Sequence, residues 1–206
     1  MFGMKSTTLF LIRHGETDWN VSKRVQGHCD IPLNEKGTEQ ARLLGDELKD
    51  TTFHAIYASP LLRAYQTALH LTSKDRIITD ARLKETCYGI YEGLQWSDFY
   101  TKVGRHLEQY QQLPVQQKLL FKFDDSAESY FEVYTRAKAC LDEIVLKHPG
   151  EQIAVVAHGG LIKSILSTLQ HIEPRKIEID NTGYVVMKAD KTQYAPIHYC
   201  GIRGAK

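Results

Sequence analysis

The segment Leu9-Phe10-Leu11-Ile12-Arg13-His14-Gly15-Glu16-Thr17 runs from four apolar residues straight into an arginine, a histidine and a glycine. A short apolar run without a breaker reads as a buried strand. Such a strand delivers Arg13 and His14 to its exposed C-terminal end, a sensible place for them if an anion is met there. The arrangement recurs, because Ile153-Ala154-Val155-Val156-Ala157 leads directly into His158-Gly159-Gly160. Two strands that each end in His-Gly predict two imidazoles converging on one site.

The chain has 206 residues, 42% hydrophobic and 25% charged, which fits one soluble domain spanning 1–206 with a sizeable core. A formal net charge of +1 gives no overall attraction to nucleic acid or membrane, so any anion selectivity must be local. No apolar run approaches the ~18 residues a membrane helix needs. Cys29, Cys87, Cys140 and Cys200 are scattered with no C-x-x-C pair, which argues against a disulfide or zinc framework and for a reducing cytoplasm. Residues 1–5 lack the apolar stretch of a secretory leader.

Strand-like and helix-like runs alternate. Residues 8–12 and 53–58 read as strands, with a short strand near 76–79. Asn34 caps a helix over 35–48, with Ala41, Leu44, Gly45 and Leu48 on one stripe. Ser59-Pro60 reads as an N-cap followed by proline at the first helical position, opening a helix to about residue 71. Asp125 and Glu128 form a capping-box pattern before a helix carrying Phe131, Tyr134, Ala137, Leu141, Ile144 and Val145 at helical spacing. Pro149-Gly150 ends it. Residues 153–157 form a strand and 160–169 a helix; 183–188 and 194–199 are late strands. This alternation predicts a largely parallel sheet with helices on both faces, and ligands at the carboxyl ends of its strands. Residues 95–123 are the exception. Polar, aromatic and broken by Gly104 and Pro114, they predict a helical excursion serving as a lid or specificity segment.

Arg13, His14, Arg63 and His158 can surround one phosphate. Arg63 falls one turn into its helix, and helical side chains lean towards the N-terminus, so its guanidinium reaches back to the strand ends. Two arginines hold phosphate oxygens by charge-assisted bonds. The helix start after His158 offers free N–H groups, and Gly159 and Gly160 keep side chains out of the way. One imidazole can attack phosphorus if its attacking nitrogen is unprotonated. The other can hydrogen-bond the transferring oxygens, and a cluster of cations supplies the charge neutralisation that phosphoryl transfer needs. The leaving oxygen requires an acid. Glu85 is a candidate, and on these grounds Glu92 and Glu16 compete with it.

These residues resemble a family. Arg13-His14-Gly15-Glu16-Thr17 with Trp19-Asn20, Gln26-Gly27, Pro32-Leu33, Gly37, Ala58-Ser59-Pro60 with Arg63 and Gln66-Thr67-Ala68 carry the first half of the match. Leu83, Glu85, Gly89, Glu92-Gly93, Glu128-Ser129, Arg136 and Val156-Ala157-His158-Gly159-Gly160 carry the second. In this order the chain resembles the histidine phosphatase superfamily, the branch containing cofactor-dependent phosphoglycerate mutases and their phosphatase relatives. The resemblance implies a three-layer α/β/α sandwich, phosphoglycerate mutase-like, with a mostly parallel central sheet. It implies that His14 becomes a phosphohistidine, that Arg13, Arg63 and His158 complete the phosphate pocket, and that Glu85 donates the proton. Asn20, Gln26, Gly27 and Gly159 would line the phosphate or substrate site. No metal or cofactor is implied, and the partner is a small phosphorylated metabolite.

Three activities fit that family: a phosphatase, a phosphoglycerate mutase, and a non-catalytic binding protein. All five core residues are present, which disfavours the last. Family mutases resemble one another in a paired arginine in the segment where this chain has only Arg105, and in an asparagine where it has Gly160. Only a short tail, 197–206, is available to close the site. The reading is therefore a phosphomonoester hydrolase, with the mutase as its alternative. The aromatic residues Tyr88, Tyr91, Trp96, Phe99 and Tyr100 leave room for a ring-bearing substrate, although packing is the first reading for Tyr88, Tyr91, Tyr100 and Tyr110. Glu16 and Glu92 read as structural, Lys118 and Lys122 as a solvated face, and His28, His54, His70, His106, His148, His171 and His198 as non-catalytic.

Overall fold

A computed structural model describes residues 5–72 and 76–205. The segment 1–4, most of the stretch read for a leader, lies outside them. The central sheet has six strands: β1 (Thr7–Arg13), β2 (Ala55–Ala58), β3 (Ile77–Thr79), β4 (Gln152–Ala157), β5 (Glu178–Ala189) and β6 (Tyr194–Arg203). Their order is β3-β2-β4-β1-β5-β6. The first four run parallel, while β5 and β6 add an antiparallel edge. The sheet is thus mostly parallel, as expected.

Strand alternation sets the two cores. Leu9, Leu11, Ile153 and Val155 face α6 (Tyr130–Lys147) and α7 (Gly159–Gln170), packing on Val133, Leu141, Ile144, Ile162 and Ile165. Phe10, Ile12, Ala154 and Val156 face the other way, onto Leu44 and Leu48 at α2 (Glu35–Glu47) and Ala64 and Ala68 of α3 (Leu62–Ala68). Period-2 alternation on a strand buried on both faces gives this three-layer sandwich directly. A short helix, α1 (Asp18–Val21), follows β1.

Asn34 caps α2 as read, accepting from the Gly37 N–H at 2.7 Å. Two other helix starts differ. Helix α3 begins at Leu62, two residues after Pro60, because the Leu62 N–H is capped by Asp30 Oδ1 at 2.7 Å while Ser59 Oγ accepts only from Leu61. Helix α6 is opened by a Ser129–Glu132 capping box instead of Asp125–Glu128. Glu128 is occupied elsewhere, and Phe131, placed on the apolar stripe, is exposed.

Residues 95–123 form α4 (Trp96–Gln112) and α5 (Val115–Leu120). Gly104 does not break α4, since burial of Phe99, Val103 and Tyr110 offsets the roughly 1 kcal/mol a helical glycine costs. Phe99 and Val103 join Val25 and Tyr91 in a third apolar cluster. Lys118 is not solvated: it is 7% exposed, paired with Glu173 at 3.2 Å and set over the Tyr110 ring. Among the described residues no helix is long and apolar enough to cross a membrane.

Candidate active site

Strands β1 and β4 are parallel neighbours in register, with Arg13 opposite Ala157. The residues that follow, His14 and His158, therefore emerge side by side. Their rings meet edge to face with centroids 5.2 Å apart. Both are buried, at 2% and 0% exposure.

His14 Nδ1 lies 2.6 Å from the Gly15 carbonyl. A carbonyl only accepts, so Nδ1 carries the proton and Nε2 keeps a lone pair. Burial, reinforced by the charges of Arg63 and Arg13, holds the His14 pKa well below its ordinary value. Burial followed by the charges of Arg63 and His14 does the same for His158. Both rings are neutral at pH 7. Among the described residues neither nitrogen of His158 has a hydrogen-bond partner, and His158 is not among the residues that line the cavity described next.

The strand ends open into a cavity of about 460 Å³ lined by Arg13, His14, Asn20, Gln26, Gly27, Arg63, Glu85 and Gly159. Arg63 is fully buried, and its Nη1 and Nη2 donate to the Cys29 and Gly27 carbonyls at 2.8 Å each. Those bonds hold the Gly27 and Cys29 carbonyls, and among the described residues Nε has no acceptor. Arg13 donates through Nη1 to the Ile179 carbonyl, and among the described residues its Nε likewise has no acceptor. Gly27 has φ +51°, and a Cβ there would overlap Glu92, so only glycine suits this turn.

Glu85 is placed by α7. Its Oε1 accepts from the Thr86 and Leu161 N–H groups at 2.8 and 3.1 Å, and Oε2 from Gly160 at 3.1 Å. The Gly160 and Leu161 N–H groups are therefore not free for phosphate, contrary to expectation. Negative charge and a helix N-terminus attract, and Glu85 arrives first. Oε2 accepts one such bond and retains a lone pair for a proton.

Several supporting residues had been given no role at the site by the sequence reading. Arg136 grips Glu128 bidentately at 2.7 and 2.9 Å and donates to the Arg82, Lys84 and Glu85 carbonyls. His28 Nε2 sits 2.9 Å from the Glu85 carbonyl, so this histidine is a positioning residue. Asn181 lies where the β5–β6 register shifts, and its Nδ2 donates to the His14 carbonyl at 3.1 Å. Tyr88, Tyr91, Tyr100 and Tyr110 all line the cavity, together with Trp96, Phe99, Lys163 and Arg175. Arg24 and Tyr130 line it too. Arg105 is exposed and does not. Glu16 is held below the usual carboxylate range by Lys36 and Asn34, and Glu92 accepts the His28 and Tyr88 N–H groups, so both are structural.

The model of the histidine phosphatase superfamily (branch 1) matches residues 9–199. The chain belongs to that superfamily. Phosphoglycerate mutase-like protein 4 of Arabidopsis thaliana is 32% identical over 185 residues, covering 87% of this chain and 78% of that protein. Phosphoserine phosphatase 1 of Hydrogenobacter thermophilus is 30% identical over 188 residues, covering 89% and 87%. Among solved structures, phosphoglycerate mutase from Bacillus anthracis str. Sterne superposes with a TM-score of 0.84 at 29% identity, covering 96% of this chain and 94% of that one. Superfamily members similar to this chain thus carry both mutase and phosphatase names.

Proposed function

We propose that this superfamily member is a metal-independent phosphomonoester hydrolase acting through a phosphohistidine on a small phosphorylated metabolite. The observation that carries it is the neutral His14, with Nδ1 fixed to Gly15 and Nε2 left nucleophilic beside Arg13 and Arg63. His14 Nε2 attacks phosphorus while the bond to the substrate oxygen breaks. The arginines and an N–H of His158 take the equatorial charge. Glu85 gives its proton to the departing oxygen, then accepts one from the water that cleaves the phosphoryl–His14 bond and releases phosphate. Asn20, Gln26, Gly27 and Gly159 border the substrate, and residues 95–123 shape its far side. The four unpaired cysteines support a cytoplasmic setting.

Inorganic phosphate release in excess EDTA from a panel of phosphomonoesters, with His14→Ala as the blank, tests this reading. Rapid His14-dependent release is expected. Release that survives His14→Ala overturns the nucleophile. A mutase-named relative keeps the alternative in view, and isomerisation of 3-phosphoglycerate without phosphate release would establish it. Against the mutase stands Gly160, where a Cβ would lie 2.4 Å from Glu85 Oε1.

A further inference from the structure

The reaction described above uses Arg13, Arg63, His14, His158 and Glu85, yet the same cavity holds another cation. Arg175 lines it from the short 3-10 turn Pro174–Lys176 between α7 and β5. Its guanidinium lies 4.9 Å from the Tyr110 ring centroid, 5.5 Å from Tyr100 and 5.9 Å from Phe123. The turn is ordered, with Pro174 buried and the Lys176 and Ile177 N–H groups bonded to the Glu173 and Pro174 carbonyls.

Among the described residues this guanidinium is offered no anion. Neighbouring Glu173 is engaged by Lys118 at 3.2 Å. Of the two carboxylates that line the cavity, Glu85 is spent on the α7 amides and Glu128 on Arg136. Among the described residues Arg175 forms no ion pair. Cation–π contact with aromatic rings pre-orders the side chain while leaving in-plane N–H donors for a planar or tetrahedral anion. Aromatic walls also lower the local dielectric, which strengthens an ion pair made there. A cavity of about 460 Å³ has room for much more than one phosphate.

We propose that Arg175 binds a second anionic group of the substrate. The substrate class is then a phosphomonoester with a carboxylate or second phosphate carried on a ring-bearing or largely apolar body. That the ligand is a substrate rests on the phosphatase reading, whereas the subsite itself is a matter of binding. Tyr100, Tyr110 and Phe123 flank the body of the molecule, while Arg13 and Arg63 hold the reacting phosphate at the other anchor.

The test is calorimetric binding of non-hydrolysable phosphonates to the full chain. Each phosphonocarboxylate, in a series with alkyl and phenylene spacers, is paired with its neutral carboxamide and with the matching bisphosphonate. At the best spacer the acid should bind at least about tenfold more tightly than the amide, as expected of a charge-assisted bidentate contact. Arg175→Gln should reduce that ratio to under about threefold and leave the amide within about twofold, and Arg175→Lys should recover part of it. A gain for the bisphosphonate alone assigns the second anion as phosphate; a gain for the carboxylate assigns it as an acid. Equal binding of acid and amide at every spacer, no binding by any member, or a ratio unchanged in Arg175→Gln overturns the proposal. Turnover of the corresponding phosphate esters is measured alongside. Acid-selective, Arg175-dependent binding without turnover would sink the hydrolase reading and leave the subsite standing.

Discussion

Glu85 is seated against the backbone of Gly160, its Oε2 3.1 Å from the amide nitrogen and its Oε1 2.4 Å from where a Cβ would stand. The carboxylate can approach α7 this closely only because residue 160 has no side chain. Thr86 Oγ1, 2.7 Å from the same point, closes the other escape.

Gly160→Ala should therefore displace the acid without touching the nucleophile. We expect kcat on alkyl phosphates to fall by about 10–100-fold, with a smaller loss on 4-nitrophenyl phosphate, whose leaving group needs no proton. Steady-state rates on both substrates check this. An alkyl-to-aryl ratio equal to that of the parent would show that Glu85 is not the donor, or that it tolerates the shift.

Glu85→Gln removes the proton and keeps the shape. Alkyl phosphate turnover should drop by about 10²–10⁴-fold while aryl phosphate turnover is largely kept. Equal losses on the two classes would move the acid role to another group.

Protons report on the two imidazoles through stability. Their folded pKa values are depressed, chiefly by burial. Below the unfolded value of about 6.5 the unfolded chain binds protons that the folded chain refuses, so stability is full above that pH and falls as pH drops towards the folded values. Melting curves from pH 8 to pH 5 should show the His14→Ala/His158→Ala double variant losing Tm less steeply than the parent. Parallel slopes would mean that these rings ionise as readily folded as unfolded.

Arg136 fixes the Glu85 turn through a planar fork that lysine cannot reproduce. Burial raises the Glu128 pKa, but the Arg136 bond and the Cys87 N–H outweigh it and hold the carboxyl below its usual range. Arg136→Lys should lower kcat on alkyl phosphates several-fold with KM nearly unchanged, and should lower Tm. A loss confined to Tm would make the ion pair structural only.

Much of this architecture was legible because its determinants are local. Unbroken apolar runs at 9–12 and 153–157 marked buried strands, Asn34 announced its helix, and His14 and His158 followed from what ends each strand. Features set by distant chain were not. Asp30, from another loop, caps α3 and so shifts its start past Ser59-Pro60. Lys118 looked solvated until Glu173 and Tyr110 came to it from elsewhere in the fold. Arg175 and Asn181 lie on a short turn and at a register shift, places with no periodicity to read, and only topology carries Arg175 to the cavity and Asn181 to the His14 carbonyl.

The adjacency of β1 and β4 has a consequence for the chain as it is made. His14 is synthesised early and His158 only after most of the polypeptide has followed, yet each needs the other strand beside it. Closing so long a loop is slow, and its entropy is repaid only when the central pair zips together. A nascent chain lacking β4 carries His14, the proposed nucleophile, but not the His158 side of its pocket. On the proposed mechanism activity is expected only once β1 and β4 have paired, so its onset during refolding would mark completion of that central pair.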